Sequence, residues 1–187
     1  MLRTRLILCS LVFVGAALSA VAMRDSHQEP QMPQPTEEHA EILRGAGSWE
    51  GTMKAWMPGM PESSMSCKEE NVAFGPFWLV STFECDFMGM PYRGQGSVGY
   101  DPMKQKYVGT WYDNMSPTLA VMEGEEDAAG KLTMRWTAPT MDGSIQPHRY
   151  ELVHQGDSYV STFFVGEGAG TKTMEMHMKR KGAAAAK

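Results

Sequence analysis

The chain has 187 residues, 42% of them hydrophobic, with 17 basic and 22 acidic side chains and a net charge of −5 at neutral pH. An acidic chain with no basic cluster argues against nucleic acid and anionic membrane surfaces as partners. The short Lys179-Arg180-Lys181 run reads as a solvated strand end.

From the amino end, Arg3 and Arg5 precede an apolar stretch from Leu6 to Leu18 and then Ala20-Val21-Ala22, the small-x-small pattern cut by signal peptidase. Residues 1–22 therefore read as a secretory signal, and the protein as exported, periplasmic or extracellular. The apolar stretch falls short of the ~20 residues that cross a bilayer, so no integral membrane segment is expected after cleavage. Residues 23–35, with Pro30, Pro33 and Pro35 among Gln and Glu, read as a disordered spacer, and 182–187 as a flexible Ala-rich tail. Between them, 36–181 is long enough for one domain with a single core.

Within that domain, Thr36 followed by Glu37, Glu38, Ala40, Ile42 and Leu43 predicts a short N-capped helix ending near Gly45 or Gly47. The hydrophobic period then changes to two. Ten strand-like runs follow, at about 47–57, 63–74, 77–87, 91–101, 104–114, 117–126, 130–138, 145–155, 158–165 and 171–180. Gly75-Pro76, Asp101-Pro102, Asp142-Gly143, Gly156-Asp157 and the Gly166–Gly170 stretch are among the turns between them. Short strands with tight turns and no intervening helices predict an all-β fold, an antiparallel up-and-down barrel of about ten strands with one short N-terminal helix. Closure is favoured because it removes exposed edges.

The segment Asp86–Gly124 shows the meander most clearly. Met90, Tyr92, Gly94, Gly96, Val98 and Tyr100 alternate along one run, and Tyr107, Trp111 and Asp113 share one side of the next. Its motifs MGMPYRGQGSVGYD, KYVGTW with Asp113 two residues on, and VMEG resemble the bacterial family called domain of unknown function 1579. EEHAEILRGAGSWEG near the start and KTMEMHMKRK near the end are similar to it as well, so the likeness runs from about Thr36 to Lys181. It implies a calycin or lipocalin-like barrel, with no activity attached. The chain departs from the usual pattern at PFWLVSTFEC, where a Gly-Arg pair is commoner, and in its two cysteines beyond the signal.

Those cysteines, Cys67 and Cys85, are equidistant from Pro76, so a hairpin centred there sets them opposite each other, on one face of adjacent antiparallel strands. Facing α-carbons ~4.5–5.5 Å apart satisfy a disulfide's ~4.4–6.8 Å, and an oxidising compartment favours the bond. A register off by one, or two free thiols, is the competing outcome. Gly94-Gln-Gly96-Ser97-Val98-Gly99 matches the dinucleotide fingerprint by letter, but Tyr100-Asp101-Pro102 ends a strand where that motif needs a helix.

The chain has 17 methionines. Thioether and imidazole from Met174-Glu-Met176-His177-Met178 suggest Cu(I), a soft ion, yet the strand period puts His177 on the face away from the sulfurs; filling of a barrel interior is the plainer reading. Glu123, Glu125, Glu126 and Asp127 lack calcium-loop spacing and read as a solvated hairpin end. His148 and His154 share the face of Tyr150 and Leu152, where a haem would need a histidine. No cofactor is assigned. No order of Ser, His and Asp, no His-Glu-x-x-His and no Cys-x-x-Cys is found.

The leading reading is a barrel that binds a small, largely apolar ligand inside. Trp49, Met53, Tyr107, Trp111, Met174 and Met176 are the expected lining, with Asp113 and Arg149 as polar anchors. A solid-core barrel working through surface contacts is one alternative. Another is an enzyme at the barrel mouth, which would need Asp113, Arg149 and His148 to converge.

Overall fold

The structure, a computed structural model, describes residues 32–87, 89–140 and 142–182. The signal of 1–22 and most of the spacer and tail lie outside the described residues. Everything described from Gln34 onward belongs to one compact unit.

A helix, α1 (Glu37–Leu43), leads into ten strands. These are β1 (Gly47–Ala55), β2 (Ser63–Phe74), β3 (Trp78–Phe87), β4 (Met90–Asp101), β5 (Lys106–Asp113), β6 (Ser116–Glu126), β7 (Lys131–Pro139), β8 (Ile145–Gln155), β9 (Ser158–Val165) and β10 (Thr171–Arg180). Each pairs antiparallel with the next, and β1 also pairs with β10, so the sheet closes into a barrel. Closure gives every strand a partner on both sides, which period-two alternation along ten linked hairpins allows. Gly75 and Gly156 take positive φ (64° and 62°) in the turns after β2 and β8, a conformation that side chains with a β-carbon resist.

The helix closes one end. His39 and Ile42 are buried against β3 and β4, with the His39 ring edge-on to Phe77 and Tyr100. The Thr36 backbone N–H donates to His39 Nδ1 at 3.0 Å, fixing the start of the helix. Its other end is tied down by Arg180, which donates to Ala46 O (2.5 Å) and Arg44 O (2.8 Å) and lies over the Trp49 ring, 4.3 Å from its centroid. Ile42, Leu79, Tyr107 and Met134 form an apolar cluster beneath it.

The opposite end, the mouth, is different. The β2–β3 ladder stops at Cys67 and Cys85. Beyond that pair Ser63–Ser66 bond only to β1, while Asp86 and Phe87 bond only to β4. The β6–β7 ladder likewise stops at Glu123 and Arg135, leaving Ser116–Met122 and Trp136–Pro139 apart. Two forks thus divide the mouth end into a lobe of β3–β6 and a lobe of the remaining strands. A larger cluster fills the barrel between the mouth and the cap, built on Trp49, Met53, Met65, Phe83, Tyr159, Met176 and Met178.

Candidate functional site

Strand alternation places Glu69 on the inner face with Met65, Cys67 and Asn71. Its carboxylate receives the Tyr159 hydroxyl, and Asn71 and Ser81 lie within reach of it. Burial raises the Glu69 pKa above its ordinary 4.5, against the lowering effect of these partners. Tyr159 and Tyr150 are pushed upward too, by burial first and by the Glu69 charge second. Ser161, with no exposure at all, has its Oγ near the Tyr150 hydroxyl but outside good hydrogen-bond geometry. Asn71 Oδ1 is buried without a hydrogen-bond partner among the described residues. Together these groups form a polar band with unused hydrogen-bonding capacity.

Toward the mouth, Phe87, Tyr92, Trp111, Phe163 and Met174 are half-buried and pack against the main cluster. Trp111 Nε1 donates to the Tyr92 hydroxyl (3.3 Å), which donates to Asp113 Oδ2 (3.2 Å). Burial, and then the neighbouring Asp113 charge, raises the Tyr92 pKa. On the other lobe Trp136 stacks on His148, with ring centroids 5.2 Å apart and an interplanar angle of 25°. His154 sits at the capped end, beside Trp49 and Tyr159. The mouth therefore pairs apolar, partly wetted walls with one short polar chain.

Of the residues expected to line the interior, Trp49, Met53 and Met176 are in the main cluster, Trp111 and Met174 pack against it, and Tyr107 lies in the cluster under the helix. Asp113 joins them through Tyr92. Arg149 does not. It sits on the face opposite Tyr150, donating to Glu151 Oε1 (2.9 Å), Gly168 O (3.0 Å) and Ala169 O (2.8 Å), with its guanidinium over Phe164. One residue of strand offset from Tyr150 is enough to send it outward. Asp113, Arg149 and His148 consequently do not converge.

Cys67 and Cys85 face each other in the β2–β3 ladder, in the expected register, but both are free thiols and the expected disulfide is not formed. They are direct cross-strand neighbours, and Cys67 Sγ approaches Met65 O at 3.7 Å. Register supplies proximity, whereas the bond also requires oxidation. The three methionines of β10 face inward and the exposed His177 faces out, its ring 2.8 Å from Glu175 Oε1. Gly94–Gly99 lies within β4 and opens no helix. No described helix is long and apolar enough to cross a membrane.

Glu69, Asn71, Tyr92, Tyr159 and Ser161 were not among the expected site residues. The signal for Glu69 was present: it is two residues from Cys67 and so shares its face.

Protein of unknown function DUF1579 describes the family that matches residues 34–180. The chain is a DUF1579 protein. Among solved structures, that of Rv2717c from M. tuberculosis resembles this DUF1579 barrel with a TM-score of 0.60, over 79% of this chain and 99% of that one. At 12% sequence identity the likeness is one of fold. No curated protein matches the DUF1579 chain in sequence.

Proposed function

We propose that this protein is an exported carrier or sensor that binds a small, largely apolar molecule bearing one polar group, taken in at the mouth and held against the polar band. The observation that carries this reading is Asn71 Oδ1, buried beside the Glu69–Tyr159 pair and unpartnered. Leaving such an acceptor unpaired costs about 1–3 kcal/mol, which a ligand hydroxyl or amide would recover. Ten strands support it further, since barrel width grows with strand number and eight already suffice to hold one small ligand. The half-buried Phe87, Trp111, Phe163 and Met174 provide apolar walls, and a few convergent polar groups fix orientation, as in small-molecule sites generally.

Native mass spectrometry of the protein isolated from its producing cells tests this directly. A bound molecule of defined mass, lost from Asn71→Ala and Trp111→Ala variants that still fold, is the expected result. Protein that is empty in repeated preparations overturns it and favours a solid-core barrel acting through its surface.

A further inference from the structure

The inner wall made by β10, β1, β2 and β3 carries six sulfur side chains in two neighbouring rows. One row runs Met178, Gly51, Cys67, Cys85 across the four strands; the next, toward the mouth, runs Met176, Met53, Met65. All six sulfur residues are buried, Met178 and Cys67 almost completely at 1% and 2% exposure. Facing positions in a row hold their β-carbons ~4.5–5.5 Å apart, so these sulfurs are grouped in space. Gly51 draws the first row tighter. A β-carbon built there would lie 2.8 Å from Met178 Sδ, so the thioether occupies the room left by Gly51, the residue between Met178 and Cys67 in the row. Beside it stand two free thiols that face each other across the β2–β3 ladder. A cleft of about 460 Å³ at the β2–β3 fork is lined by Gly51, Cys67 and Cys85, with charges of both signs, Glu50, Glu84 and Asp86 beside Lys68 and Arg93, on its walls.

We propose that Cys67, Cys85 and the Met178 thioether form a binding site for a soft monovalent metal ion of the Cu(I) type. Thiolate and thioether donors select Cu(I), whereas structural zinc sites are completed by further cysteines or histidines, and His177 faces outward from this wall. Loading breaks two S–H bonds and forms two metal–thiolate bonds, and the thioether adds a neutral third donor. Two protons leave to solvent and no electron is transferred. The fork gives the ion its way in.

The test titrates the purified, reduced protein with Cu(I) delivered from its bicinchoninate complex in the absence of oxygen. One ion is taken up per chain, with a sulfur-only first shell in X-ray absorption. Met178→Leu lowers affinity by about tenfold or more, at least the scale on which outer partners of metal ligands matter. Met176→Leu leaves it unchanged. Cys67→Ala with Cys85→Ala abolishes uptake, with folding checked by circular dichroism. If that double variant does not fold, the wild-type absorption spectrum and the Met178→Leu affinity decide the matter. Copper left with the chelator, a nitrogen or oxygen shell, unchanged affinity in Met178→Leu, or displacement by an equal amount of Zn(II) overturns the proposal.

Discussion

The six-membered ring of the Trp111 indole lies across Gly94: a β-carbon there would come within 2.1 Å of Trp111 Cζ2, and one at Gly96 within 2.7 Å of Cε3. Two glycines in β4 thus form a shelf for the indole that leads into the Tyr92–Asp113 hydrogen-bond chain. Gly94→Ala is expected to displace the ring, destabilising the protein by about 1–3 kcal/mol, as overpacking does, and shifting tryptophan emission. Urea unfolding followed by fluorescence checks both; a variant matching wild type in midpoint and spectrum would contradict the packing described.

Glu69 should leave a signature in the pH dependence of stability. Its pKa in the folded barrel is raised above 4.5, so as pH climbs past that value the unfolded chain ionises first while the buried carboxyl keeps its proton. The native state then binds more protons than the unfolded one, and stability falls with rising pH until the raised native value is passed. Glu69→Gln removes this contribution. The difference in urea midpoint, wild type minus variant, should decline over that window and then level, and a flat difference would refute the assignment.

The Cys67 thiol is pushed up to about 12 by burial and by its neighbour Cys85, whose own pKa is also raised. Thiolate, the reactive form, is therefore scarce at neutral pH. Dithionitrobenzoate should react slowly with the folded protein and promptly with both thiols in guanidinium. Fast reaction before unfolding would count against the buried pair.

Arg180 joins the carboxy-terminal strand to the end of α1 by two hydrogen bonds to backbone carbonyls, a third to Asp157 Oδ1 (3.2 Å) and its stacking over Trp49. Lysine cannot reproduce a planar fork of donors. Arg180→Lys should therefore cost about 1.5–3 kcal/mol, the range for hydrogen bonds to charged groups, and weaken helix docking. Comparing thermal melts and far-ultraviolet circular dichroism of the two proteins tests this.

Strand count, strand bounds, the leading helix and the Cys67–Cys85 register were legible because period-two alternation and turn residues are local signals. The interior was legible where side chains were apolar: Trp49, Met53 and Met176 stand where their parity puts them. Arg149 and Glu69 show where that reading failed, and for opposite reasons. Arg149 has the charge of an anchor but is out of phase with Tyr150 and faces out, while Glu69, in phase with Cys67, faces in although carboxylates usually face water. The forks were not legible, since where a ladder stops depends on how neighbouring hairpins diverge and not on the composition of either strand. Oxidation of the cysteines is likewise a matter of environment, not of sequence.

Because the β2–β3 and β6–β7 ladders close only toward the helix-capped end, backbone protection should be graded along strands rather than between them. Amides of the first residues of β3 and β7 belong to a ring laddered on both sides, whereas at Asp86–Phe87 and Trp136–Ala138 the amides that point to a fork have no ladder partner and can trade their protons without unfolding. The same strand would then report two exchange regimes, slow at one end and fast at the other. Its barrel would behave as a hinged purse whose seam is sewn from one side.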